Sequence, residues 1–156
     1  MAGAHDITFA GLDVAPLALG DYAGRPILVV NVASACGFTP QYAPLQALWE
    51  AQGPDGAVII GVPCNDFGAQ EPGDAGQIRS FCETRFGVTF PLTAKASVTD
   101  PLTRHPFYAW VAEQLGEDAL PRWNFHKYVI ARDGSLAGSF SSRVAPDSDE
   151  IARALA

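Results

Sequence analysis

Two short apolar runs constrain this chain most: Ile27-Leu-Val-Val-Asn-Val32 and Ala57-Val-Ile-Ile-Gly-Val62. Neither alternates with polar residues, and β-branched side chains dominate both. That is the pattern of strands buried on both faces. Between them Tyr42, Leu45, Leu48 and Trp49 recur at helical spacing. Thr39 and Pro40 are placed as N-cap and first helical residue, and Gly53 as the stop. Pro44 disturbs a helix begun at Pro40, so an irregular first turn is expected.

The rest of the chain alternates in the same way. Residues 7–19 read as a hairpin, and a glycine-rich loop covers Pro63 to Gly73. Asp74 and Gln77 form a capping-box pattern for a helix that carries Ile78, Phe81, Cys82 and Phe86 on one face and stops at Gly87. Phe90 to Val98 is expected to be a third strand, broken or on an edge because of Pro91. Pro106 opens a helix with Phe107, Trp110, Val111 and Leu115, stopped by Gly116. Tyr128–Ala131 and Ser135–Phe140 flank the turn Arg132-Asp133-Gly134. Asp147 with Glu150 is expected to cap a last short helix. These elements predict one α/β domain over residues 1–156, with a mixed central β-sheet flanked by helices and an N-terminal β-hairpin.

Charge and cysteine usage exclude several function classes. The 156 residues carry a formal net charge of −7. Nucleic acid and anionic membrane surfaces need a basic patch, and the ten Lys and Arg are scattered. No apolar run is long enough for an integral membrane segment. Met1 to Asp6 has neither the basic start nor the apolar stretch of a signal peptide. The three Cys residues are far apart and suit neither a zinc site nor a secreted disulfide scaffold. His5, His105 and His126 form no metal-binding pattern. The expectation is a cytoplasmic protein with free thiols, no metal and no cofactor.

Cys36 follows a buried strand and precedes a helix. There a thiol meets unpaired backbone N–H groups at a helix N-terminus, which favour the thiolate. The same position also suits a small apolar residue at a strand end. Gln70, Trp123 and Asn124, taken singly, suit a solvated loop, a core and a turn.

Three separated stretches point further. Asn31-Val-Ala-Ser-Ala-Cys-Gly-Phe-Thr39, Val62-Pro-Cys-Asn-Asp-Phe-Gly-Ala-Gln-Glu-Pro72 and Trp123-Asn-Phe-His-Lys-Tyr128 resemble, in order, the three signatures of the glutathione peroxidase family. Phe81 to Pro91 and Arg104-His-Pro106 are similar to its bacterial members. The resemblance implies a thioredoxin-like fold and a tetrad of Cys36, Gln70, Trp123 and Asn124. It implies a thiol peroxidase that reduces hydrogen peroxide and organic hydroperoxides. The amide and indole donors of such a tetrad stabilise a thiolate and polarise a peroxide oxygen without a titrating partner.

The resemblance also implies a role for Cys82 as the resolving cysteine, condensing with the Cys36 sulfenic acid to a disulfide that thioredoxin reopens. A core role on the helix face with Ile78 and Phe86 competes with it. Cys64 is expected to be structural, and His126 and Lys127 bystanders, the latter a surface charge on a strand. Asp66 stands where the family usually has Gln, and a carboxylate there is expected to disturb Cys36 or repel anions. The alternatives are a one-cysteine peroxidase using glutathione and a non-enzymatic redox relay. A peroxiredoxin pattern is absent, since Val29 and Ala33 replace its Pro and Thr. Thr39 and Pro40 stand where a thioredoxin motif or a copper chaperone needs a second Cys, and no His carries a motif for a cysteine hydrolase. The short segment from Glu113 to Arg122 lacks the insertion through which family members form tetramers, so a monomer is expected.

Overall fold

A computed structural model describes residues 3–52 and 55–156. Strands β1 (Thr8–Ala10) and β2 (Pro16–Ala18) form the expected N-terminal hairpin. The main sheet holds β3 (Ile27–Val32), β4 (Val58–Pro63), β5 (Lys127–Ile130) and β6 (Leu136–Phe140) in the order β4-β3-β5-β6. β3 pairs parallel with β4 and antiparallel with β5, and β5 pairs antiparallel with β6. Among the described residues the α-helices are α1 (Tyr42–Ala51), α2 (Ala75–Phe86), α3 (Pro106–Leu115) and α4 (Asp149–Leu155).

The uninterrupted apolar runs have the physical cause the sequence suggested. Every residue of β3 and β4 is buried. Ile27, Val29, Val58, Ile60 and Val62 face one core, with Phe107, Tyr108 and Val111 of α3. Leu28, Val30, Val32 and Ile59 face the other, with Tyr42 and Leu45 of α1, Ile78 and Cys82 of α2 and Ile151 of α4. Burying each such aliphatic side chain contributes roughly 1.5–3 kcal/mol, so helices on both faces are required.

Local signals are realised unevenly. Asp74 and Gln77 make the reciprocal capping box of α2, and Gly87 ends that helix in the left-handed region at φ 60°. His105 caps α3 by accepting the Phe107 N–H. The chain enters α1 through a 3-10 turn over Thr39–Gln41, so Thr39 does not cap the α-helix. Pro44 then falls in the first turn of α1, where an N–H has no helical partner. Gly53, the expected stop of α1, lies outside the described residues. The last helix is capped by Ser148, whose Oγ accepts the Ile151 N–H, and not by Asp147.

The expected strand from Phe90 to Val98 does not form. Leu92 and Thr93 make isolated bridges to Gly61 and Gly11. The Pro91 carbonyl accepts the Gly61 N–H at 3.0 Å, but Pro91 has no N–H to extend a ladder. The segment lies so close over β4 that a Cβ on Gly61 would stand 2.8 Å from Leu92 Cδ2.

Candidate active site

The parallel pair β3 and β4 delivers two loops to one end of the sheet. The first carries Cys36 and the second Gln70. The Cys36 loop is held from within. Its N–H donates to Thr39 Oγ1 at 2.9 Å, and that hydroxyl donates to the Ala33 carbonyl at 2.8 Å. Thr39 N–H closes the turn on the Cys36 carbonyl at 3.0 Å. Cys36 is buried, and its Sγ accepts the Phe38 N–H at 3.3 Å. A backbone donor thus points at the sulfur, although α1 itself starts only at Tyr42.

The two loops are joined by the backbone: Ala35 N–H donates to the Gln70 carbonyl at 3.1 Å. The Gln70 side chain meets the third motif, since Asn124 Nδ2 donates to Gln70 Oε1 at 2.9 Å. With the amides oriented this way, the Gln70 Nε2 protons remain free to donate. Asn124 is buried, and its Oδ1 has no hydrogen-bond partner. Trp123 stacks obliquely on Phe67 with centroids 5.8 Å apart and is 37% exposed. Gly68, at φ 68°, brings the loop backbone beneath this indole. Among the described residues no side chain of Gln70, Trp123 or Asn124 bonds directly to the Cys36 sulfur.

Asn31, a residue of the first motif with no role assigned from sequence, fixes the third motif. Its Nδ2 donates to the Trp123 carbonyl at 3.0 Å, and its Oδ1 accepts the His126 N–H at 3.1 Å. Its carbonyl accepts the Phe125 N–H at 2.6 Å, where Phe125 is held at φ 66°. A polar residue inside an otherwise apolar strand was the signal that marks it.

Lys127 is a correction: it is fully buried and not a surface charge. Its Nζ donates to the Phe125 carbonyl at 2.7 Å and the Ser142 carbonyl at 3.3 Å. Burial without a carboxylate lowers it to about 8. It ties the Trp123 loop to the segment after β6. Phe38, Arg122, Trp123, His126, Ser142 and Arg143 line the groove between them, about 520 Å³ in volume.

His126 is held neutral, at about 4, by burial and by the charges of Lys127 and Arg122. Its unfolded value of 6.5 is higher, so the unfolded chain binds the extra proton as pH falls. Stability contributed by the neutral ring is therefore present above pH 6.5 and lost toward pH 4. The full gap corresponds to roughly 3 kcal/mol, and the ring's partial exposure reduces this to about 1–2 kcal/mol. Urea unfolding at both pH values is expected to show that loss, and His126→Gln to remove most of it.

The other two thiols lie deeper in the core than Cys36. Cys64 and Cys82 are fully buried, and all three Cys are free. Burial pushes Cys64 up to about 12 and Cys82 up to about 11. Cys64 Sγ accepts the Asp66 N–H at 3.4 Å, in keeping with a structural role. Asp66 turns its carboxylate to the Val98 and Thr99 N–H groups, at 2.7 and 3.2 Å, so it organises that loop. Cys82 lies in mid-α2.

The comparisons agree with this architecture. The hydroperoxy fatty acid reductase gpx1 of Synechocystis sp. is 44% identical over 144 residues, covering 87% of this chain and 85% of that protein. A crystal structure of Trgpx in its apo form superposes with a TM-score of 0.77 at 32% identity, covering 99% and 97% of the two chains. A thioredoxin-family thiol:disulfide interchange protein from Chlorobium tepidum shares the fold, with a TM-score of 0.62 at 16% identity and coverage of 100% and 99%. The fold is thus thioredoxin-like. The family model described as glutathione peroxidase matches residues 4–112, which include the first two motifs. With the three motifs gathered at one end of the sheet and relatives of this similarity, the chain belongs to the glutathione peroxidase family and is a thiol peroxidase.

Proposed function

We propose that Cys36 is the nucleophile of this peroxidase and that Gln70, Trp123 and Asn124 supply its hydrogen-bond donors. One observation carries the proposal: a Cys36 sulfur bonded to a backbone N–H, beside a loop to which the Gln70–Asn124 amide pair is tied. The thiolate attacks one oxygen of a hydroperoxide and breaks the O–O bond. The other oxygen leaves with a proton as water or alcohol, and Cys36 becomes a sulfenic acid. Neutral donors stabilise charge on sulfur and on the departing oxygen. The groove beside Trp123 and Phe38 gives organic hydroperoxides an apolar wall.

Cys82 then displaces the sulfenic hydroxyl, giving a Cys36–Cys82 disulfide and water. Thioredoxin reduces that disulfide by thiol exchange. The chain works in the cytoplasm and as a monomer, the latter supported by the short segment between α3 and β5, which holds the 3-10 turn Glu117–Ala119 and no long insertion. Among the described residues no helix is long and apolar enough to cross a membrane.

A coupled assay with either reductant system tests the choice of thiol. Thioredoxin is expected to sustain turnover at least about tenfold faster than glutathione at matched reducing equivalents. Equal or faster turnover with glutathione would assign a one-cysteine mechanism instead.

A further inference from the structure

Glu71 is the sole buried carboxylate among the described residues, 1% exposed. It follows Gln70 and leads into α2, with its N–H held by Asn65 Oδ1 at 2.8 Å. Its Oε2 has no hydrogen-bond partner, although Ser34 supports the carboxyl group through its side chain and backbone, and the Tyr42 hydroxyl lies against Cys82. Ser34, Ala35, Glu71, Gln77, Ile78 and Phe81 line a cavity of about 250 Å³. One wall of that cavity is the segment running into Cys36. The other is the first half of α2, whose next residue after Phe81 is Cys82.

A buried carboxylate with incomplete hydrogen bonding is costly, and the cost disappears when water reaches it. Exposing Cys82 to a protein reductant calls for such a movement, because its side chain is fully buried. Cys82 is fully buried, and a disulfide requires Cβ atoms about 3.8 Å apart and a bond that a protein reductant can reach. We propose that Glu71 is a positioning residue of the resolving step, whose buried carboxylate biases α2 to lift from the Cys36 loop and release Cys82. This rests on the assignment of Cys82 as resolving cysteine. The reaction it assists is attack of the Cys82 sulfur on Cys36–S–OH, with the Cys82 proton leaving in water. The hydroperoxide has already supplied the oxidising equivalents.

The charge argument has a sign. Burial raises the Glu71 carboxyl above 4.5, against partial help from Ser34 and Lys95. The packed arrangement therefore favours the protonated form, and opening becomes more favourable as pH rises above 4.5. The other titratable groups facing this region are Tyr42 from α1, Arg79, Cys82 and Glu83 from α2, and Cys64 at the end of β4. Arg79 and Glu83 offset one another at 3.7 Å.

Single-turnover kinetics on the full chain test the proposal, with sulfenic acid and disulfide resolved by rapid quench and mass mapping. Glu71→Gln is expected to leave Cys36 oxidation within about twofold and to slow disulfide formation about tenfold. It is also expected to flatten the rise of that second step as pH climbs above 4.5, while the melting temperature at pH 7 is unchanged or higher. Glu71→Asp, which keeps the charge, is expected to restore the rise, and it serves if the Gln variant does not fold. A second step unchanged in rate and pH profile in Glu71→Gln overturns the inference. So does slowing of both steps together with loss of stability, which marks a merely structural role. A wild-type protein that stops at the Cys36 sulfenic acid instead overturns the assignment of Cys82, and is recognised by retained oxygen with no disulfide.

Discussion

Cys36→Ser is expected to reduce hydroperoxide turnover by at least about 10³-fold with either reductant, because a serine hydroxyl is not ionised near neutral pH and attacks O–O bonds poorly. The substitution is nearly isosteric. The Thr39 hydroxyl, the Ala33 carbonyl and the Phe38 N–H that shape the loop all remain. The fold should therefore survive, with a melting temperature close to that of the parent. Peroxide consumption by the reduced protein alone is the cleanest readout, since it excludes the recycling steps. A variant retaining more than about a tenth of that first-turnover rate would place the nucleophile elsewhere. Cys64 and Cys82 are poor substitutes, because burial holds both thiols protonated at neutral pH.

Cys82→Ala is expected to separate the two halves of the cycle. Oxidation of Cys36 by the first equivalent of hydroperoxide should proceed at the parental rate. Thioredoxin-supported turnover should fall about a hundredfold, because no intramolecular disulfide forms and the sulfenic acid waits for an external thiol. Prolonged exposure to hydroperoxide should then carry Cys36 to the sulfinic acid, gaining a second oxygen. The substitution removes a small buried side chain from a core shared with Tyr42 and Ile78, at a cost of about 1 kcal/mol. Unchanged thioredoxin turnover in this variant would return Cys82 to a packing role, beside Tyr42.

The sheet and the helices were legible because buried strands and helical faces are written in residue type alone. Ile27–Val32 and Val58–Pro63 are apolar on both faces because helices cover both faces. The capping box at Asp74 and Gln77 needs only neighbouring residues, so it too could be read directly. The segment from Phe90 to Val98 was misjudged because its bonds run to Gly61 and Gly11, and pairing at such distance leaves little local trace. The helix-end residues Thr39 and Asp147 were misplaced by one or a few positions, where several polar residues compete for one cap.

In the site, spacing could not show that Gln70 and Asn124 touch, fifty-four positions apart. The resemblance grouped them, and the contact has a physical cause in Asn31, which clamps the Trp123 loop to β3. Lys127 was hidden for a related reason. Lysine in a strand reads as solvent-facing, and only the carbonyls of Phe125 and Ser142, brought together by the fold, allow it to be buried. The partners of Asp66 were equally hidden, since its carboxylate accepts from the backbone of Val98 and Thr99, more than thirty positions away.

The most direct test of the account is the intact mass and peptide map of the reduced protein after one equivalent of hydroperoxide. The expected product has lost two hydrogens, with Cys36 linked to Cys82 and Cys64 still reduced. An unmodified Cys36 beside consumed hydroperoxide would contradict it.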